Sequence, residues 1–245
     1  MNNIDKGFFE YFTHSLEYKI MLVYLFLGVV FTQTLSSNDY ITNIIDILSD
    51  KIFVSIFLYP SFLALYYIFY NYSNNNTALL LRIKNRNNYK KHNLINIIFN
   101  TLFLYINVLL LIIIVTNLEG KIFKVNQMLY GVNNYIMLII VAVKNVLNLI
   151  ILGLLCNFLK LKYSFRFSSI LIFFYLIVSS LGARLYTGVF LIDMFNPGIH
   201  SCGYNYVDSI DMLIKMSIIY YIVLIPVLIY AIGIETKKVL IGVNI

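Results

Sequence analysis

The sequence predicts an all-α integral membrane protein with six transmembrane helices, and three observations carry that expectation. Sixty per cent of the 245 residues are hydrophobic and twelve per cent charged, with a mean hydropathy of +0.83. A soluble domain has about a quarter of its residues charged. Apolar runs at about 20–35, 52–70, 94–116, 135–159, 167–185 and 213–234 reach or approach the ~20 residues that a helix needs to cross a bilayer. The basic residues gather between those runs, and the remaining chain leaves hardly any length for a soluble domain.

Residues 1–19 are polar but patterned. Ile4, Phe8, Phe12 and Leu16 recur every four residues, with Asp5, Lys6, Glu10 and Glu17 at other positions. That spacing predicts an amphipathic helix lying in the membrane interface; the competing reading is an unstructured tail. Nineteen mixed-charge residues ahead of the first span argue against a cleaved signal peptide.

Span 1 (20–35) is short and uncharged, and 36–51, with Asp39, Asp46 and Asp50, reads as a loop. Pro60 in span 2 (52–70) is expected to kink it by removing a helical donor. Residues 71–93 form a basic loop with Arg82, Lys84, Arg86, Lys90 and Lys91 and no acidic residue. Span 3 (94–116) carries Asn100 and Asn107, seven apart and so on one face. After a mixed-charge loop at 117–134 comes span 4 (135–159), interrupted by Lys144, Asn145 and Asn148.

A smaller basic loop, 160–166, precedes span 5 (167–185), which holds Arg184 near its outer end as a snorkelling anchor. The long connection 186–211 contains an apolar piece at 189–192 and then Phe195-Asn196-Pro197. Span 6 (213–234) has Pro226 inside it. Counted by side, the basic loops and both termini hold twelve basic against four acidic residues, and the opposite side five against seven. Lys and Arg are retained on the cytoplasmic side, so the topology is N-in/C-in.

The net charge of +7 sits beside the spans, which fits orientation and anionic headgroups and gives no reason to expect nucleic acid. With no Trp, the twenty-one Tyr have to supply any aromatic belt. Cys156 and Cys202 fall on opposite sides of the membrane, so no disulfide is expected, and two Cys cannot make a zinc site. His14, His92 and His200 all lie outside the predicted spans. The chain has no His-Glu-x-x-His, no Gly-x-Ser-x-Gly elbow and no P-loop. The expectation is therefore a non-enzyme without a cofactor of its own.

Lys144 lies nine residues into span 4, about 13 Å deep at 1.5 Å per residue. With Asn148 one turn on, it reads as a polar patch lining a translocation path, together with Asn100 and Asn107. The alternatives are a span that starts later, leaving Lys144 at the outer interface, and Asn side chains that only bridge helices.

Leu80-Leu81-Arg82-Ile83-Lys84-Asn85-Arg86-Asn87-Asn88-Tyr89-Lys90-Lys91 between spans 2 and 3, and Phe195-Asn196-Pro197 before span 6, sit in a plan that resembles the permease subunit of a type-2 (ABC-2-like) ABC exporter. More narrowly, the chain is similar to the short six-span permeases of Gram-positive bacteria that export, or give immunity to, amphipathic peptides such as bacteriocins and phenol-soluble modulins. An Asn-rich loop and the lack of Trp depart from that pattern.

The resemblance implies a cytoplasmic coupling helix around 79–89, with Leu81, Arg82, Lys84, Arg86 and Tyr89 docking a separate ATPase subunit that binds the ATP and Mg. It implies a connecting helix at 4–18, short outer helices at 188–204, and a second permease chain completing a homodimer in the lipid of a bacterial plasma membrane. The substrate would be an amphipathic peptide. The alternatives are a membrane-embedded immunity or regulatory protein that binds a peptide without transporting it, and a small membrane enzyme.

Overall fold

Long apolar periodicity becomes helix, and the helices outrun the spans expected of them. The computed structural model describes residues 14–33, 39–75, 86–121, 128–129, 131–163, 167–168, 170–172, 174–176, 200 and 210–243; at 69–75, 86–90, 92, 128 and 236–243 it describes the backbone alone. In chain order these form α1 (Leu16–Gln33), α2 (Tyr40–Ser49), a π-helical stretch (Phe53–Leu58) running into α3 (Tyr59–Asn75), and α4 (Arg86–Leu118). A small antiparallel hairpin, β1 (Met128–Leu129) and β2 (Val132–Asn133), precedes α5 (Asn134–Lys162) and α6 (Ile210–Val243).

Among the described residues, α1, α4, α5 and α6 are long and apolar enough to cross a membrane, and α2 with the helix after it adds a bent fifth candidate. Span 5 of the sequence reading is described only at 167–168, 170–172 and 174–176, where it is helical. Residues 1–13 of the expected interfacial helix (1–19), residues 79–85 of the expected coupling helix (79–89) and most of the outer connection lie outside the described residues.

The outward faces fit lipid. On α4, Ile95, Ile98, Leu102, Ile106, Leu110 and Ile113 are exposed, while Ile97, Leu104, Val108 and Ile112 are buried. Both rows follow helical spacing, and a helix apolar all round belongs in a core or a membrane. At 33 residues α4 is ~50 Å long, against ~30 Å of hydrocarbon. Its apolar segment begins at Asn93, so residues 86–92 carry the helix ~10 Å further at the basic end.

One expected loop is a helix. Residues 40–49 form α2, with Ile41, Ile44, Ile45 and Leu48 buried at i, i+3, i+4 and i+7. Three aspartates made this stretch read as solvated, yet two of them serve the backbone. Asp39 is the N-cap: its Oδ2 accepts from the Thr42 N–H at 3.0 Å and from the Thr42 hydroxyl at 2.7 Å. Asp50 ends α2 by donating its N–H to the Ile47 carbonyl at 3.2 Å, and its Oδ1 accepts the Phe53 N–H at 2.7 Å. The two helices meet there at 60°. Asp39→Ala should therefore lower stability by about 1 kcal/mol, and Asp39→Asn should recover it. Thermal unfolding in detergent checks both; an Ala variant as stable as the parent rules out the cap as a support for α2.

The kink expected at Pro60 is not where this stretch bends: the 60° turn precedes Phe53, and Phe53–Ile68 passes through Pro60 as one helix. Pro60 stands two residues beyond the π-helical stretch and has no N–H to give the Ile56 carbonyl four residues back. Tyr24 of α1 donates its hydroxyl to that carbonyl at 2.7 Å. The freed acceptor thus becomes a tie between α1 and the π-helical stretch that leads into α3.

Candidate functional site: a buried polar seam between α5 and α6

α5 is apolar enough to cross lipid, yet it carries three polar residues in five positions near its middle. Asn133 starts the helix by accepting the Tyr135 N–H on its Oδ1 at 2.9 Å. Lys144 is thus ten residues beyond the first helical residue, ~15 Å in, and only 8% exposed. The helix begins well before Lys144, and burial puts its side chain inside the bundle.

Asn145 and Asn148 are buried as well, and each uses its amide across a helix boundary. Asn145 Nδ2 donates to the Leu48 carbonyl at 2.8 Å, which satisfies one of the orphan carbonyls at the end of α2. Asn148 spends both ends of its amide. Its Nδ2 donates to the His200 carbonyl at 3.0 Å, and its Oδ1 accepts the Tyr221 hydroxyl at 3.0 Å. The Lys144 carbonyl is also within reach of that hydroxyl, at 3.3 Å.

Tyr221 belongs to a polar face of α6 made by Ser217, Tyr220 and Tyr221, at i, i+3 and i+4. His200 fills the space beside that face and is fully buried. Its Nδ1 lies 3.0 Å from the Ser217 hydroxyl, with donor and acceptor set by the tautomer. Its ring stacks on Tyr220 with centroids 4.1 Å apart and planes at 16°, and Tyr221 stands 6.1 Å away. The seam therefore runs from α2 through Asn145, Lys144 and Asn148 to Tyr221, His200 and Ser217.

His200 lies outside the candidate spans in the chain, as expected, yet it is buried against α5 and α6, where its carbonyl, ring nitrogen and ring face all meet partners. Tyrosine, expected to supply any aromatic belt, also fills the core at Tyr59, Tyr105, Tyr220 and Tyr221. The signal available in the sequence was the Ser217, Tyr220 and Tyr221 face, which matches the polar face of Lys144 and Asn148.

The remaining predicted positions divide. Asn107 faces α1: its Oδ1 accepts the Tyr18 hydroxyl at 3.3 Å, while its Nδ2 donates to the Phe103 carbonyl at 2.7 Å. This is the helix-bridging role. Asn100 is buried at 1% exposure, and its Nδ2 has no hydrogen-bond partner among the described residues. Lys144 and Asn148 come together at Tyr221, and nothing ties Asn107 to them. Leu81, Arg82 and Lys84 lie outside the described residues, and Arg86 and Tyr89 are described only as backbone in the first turns of α4. Cys156 is a buried free thiol of α5.

No protein-family model, curated protein or solved structure matches the chain.

Proposed function

We propose that this chain is the transmembrane permease subunit of an ABC exporter, moving an amphipathic peptide out of the cell or the membrane with ATP hydrolysed by a separate subunit. The observation that carries the reading is the seam: an ionisable Lys144, two Asn, a His and a Ser gathered inside a bundle whose outside is apolar. Polar and ionisable groups at membrane depth are costly and mark solute paths by default. A peptide with one polar and one apolar face needs both surfaces along its route.

Two further features fit. α4 is a single 33-residue helix, so a partner engaging Arg86 and Tyr89 at its basic end would move Asn100 and the core with it. The 60° break between α2 and the next helix is a place where two rigid pieces can change angle, as lever-type transporters require. In this reading both termini are cytoplasmic, in a bacterial plasma membrane. A second copy of the chain completes the path, and two ATPase subunits dock at Leu81, Arg82, Lys84, Arg86 and Tyr89.

The test combines co-purification with two variants. An ATPase subunit should co-purify with the chain. Lys144→Leu should cut peptide-stimulated ATPase activity about tenfold, as expected for loss of one interaction to a charged group. Arg82→Glu with Arg86→Glu should uncouple the subunits and abolish peptide resistance. A chain that binds peptide with no ATPase attached, and keeps resistance in the double variant, is an immunity protein rather than an exporter.

A further inference from the structure

A second feature lies away from the seam, at the basic end of the bundle. A cavity of about 330 Å³ opens between α3, α5 and the helical residues that follow the 160–166 loop. Its volume is at the lower end of small-ligand pockets, ~300–1,000 Å³. Three chain segments each contribute a pair of lining residues four apart, so each pair lies one turn apart on the same face. On α3 the pair is Leu63 and Tyr67, on α5 it is Cys156 and Lys160, and on the following helix it is Ile172 and Ser168.

The direction of each pair is the same. Leu63, Cys156 and Ile172 are the members further from the basic loops, and all three are apolar. Tyr67, Lys160 and Ser168 are the members nearer the loops, and all three carry a polar group. Lys160 stands two residues before the end of α5 at Lys162. The cavity is therefore graded along its helices, apolar at one end and polar, with Lys160, at the end nearer the loops.

From this gradient we infer that the cavity is a binding site for an anionic phospholipid. One acyl tail lies against Leu63, Ala64, Cys156 and Ile172, and the headgroup phosphate sits at Lys160 beside Tyr67 and Ser168. The chemistry is the match of one hydrocarbon chain to a narrow apolar slot and of one negative charge to the lysine at its polar end. Basic pockets between helices recognise anionic headgroups in this way. The proposal goes beyond the transport reading and stands or falls without it.

The absence of Trp from the chain makes a clean reporter available. Tyr67→Trp keeps an aromatic ring at the mouth and supplies the one indole fluorophore. The full chain carrying it is reconstituted in phosphatidylcholine vesicles containing a minor fraction of phosphatidylglycerol or phosphatidylcholine with brominated tails. Brominated phosphatidylglycerol should occupy the site about fivefold better than brominated phosphatidylcholine, the factor one near-surface lysine supplies. Lys160→Gln should erase that preference and Lys160→Arg should keep it. Lys162→Gln should leave it intact, since Lys162 is exposed and lies over the rings of Phe158 and Tyr163. Equal quenching by the two lipids with Lys160 in place overturns the proposal, as does a preference that survives Lys160→Gln. If Lys160→Gln does not fold, the comparison of lipids in the Lys160 protein still decides.

Discussion

Asn148→Leu is expected to cost the folded bundle about 1–4 kcal/mol. The substitution keeps the number of side-chain heavy atoms, so little of the loss comes from a cavity. It comes from the His200 carbonyl, which loses the Asn148 amide, and from the Tyr221 hydroxyl, which keeps only the Lys144 carbonyl at 3.3 Å. A buried group left unsatisfied costs roughly 1–3 kcal/mol in proteins generally, and measured interhelical bonds in lipid average ~0.6 kcal/mol. Reversible unfolding by SDS in mixed micelles measures the loss.

The same bond can be isolated with a second variant. Tyr221→Phe should cost less in the Asn148→Leu background than in the parent, by ~0.6–1.7 kcal/mol. Strict additivity of the two substitutions would mean that Asn148 and Tyr221 do not interact, and the seam would lose its central link.

Gly153→Leu should be comparably damaging, for the opposite reason. A Cβ on Gly153 would stand 2.7 Å from Ile97 Cγ2 and 3.2 Å from Phe62 Cζ, so α3, α4 and α5 approach closely because nothing projects there. Small residues at helix crossings permit this approach in membranes. Overpacking of such a site costs about 1–3 kcal/mol. Gly28 plays the same part for α1, where a Cβ would meet the ring of Phe57. Gly153→Leu should therefore unfold at a lower SDS fraction than the parent, and Ile97→Ala should restore part of the loss by vacating the clash. A Gly153→Leu protein with parental stability, or one made worse by Ile97→Ala, would show that the helices do not meet there.

The parts of the fold legible in the sequence were those decided by long-range apolarity. The cores of α1, α4, α5 and α6 follow from runs of Ile, Leu, Val and Phe, whereas the 60° bend falls between Ser49 and Phe53, ahead of the proline that suggested a kink. Helix ends were harder, because beyond the hydrocarbon the backbone continues on local capping and propensity. α4 begins at Arg86 instead of 94, and α6 runs on to Val243 instead of 234.

α2 was missed because its length lies below any spanning threshold and its three aspartates lowered the apparent hydropathy. Its i, i+3, i+4 and i+7 isoleucines and leucine were the better guide. Lys144 and Asn148 were legible as a polar face on a span. Their partners were not, since His200 arrives from a connecting segment that periodicity cannot place. Ser217 and Tyr221 look ordinary until α6 is set against α5.

The short helix α2 also bears on how the chain enters a membrane at all. Ten residues make ~15 Å, half of the hydrocarbon thickness, so α2 cannot be partitioned as an independent span. What holds it at depth is synthesised later: Asn43 donates to Thr116, 73 residues downstream, and the Leu48 carbonyl accepts from Asn145, 97 residues downstream. At roughly 5–20 residues per second, the second of these ties does not exist until about 5–20 s after Leu48 has been polymerised. During that interval the aspartate-flanked segment lacks the tie that Asn145 gives it. Its burial is then a folding step driven by helices already in place, and any agent that traps nascent α2 at the surface would arrest the bundle with the polar seam unassembled.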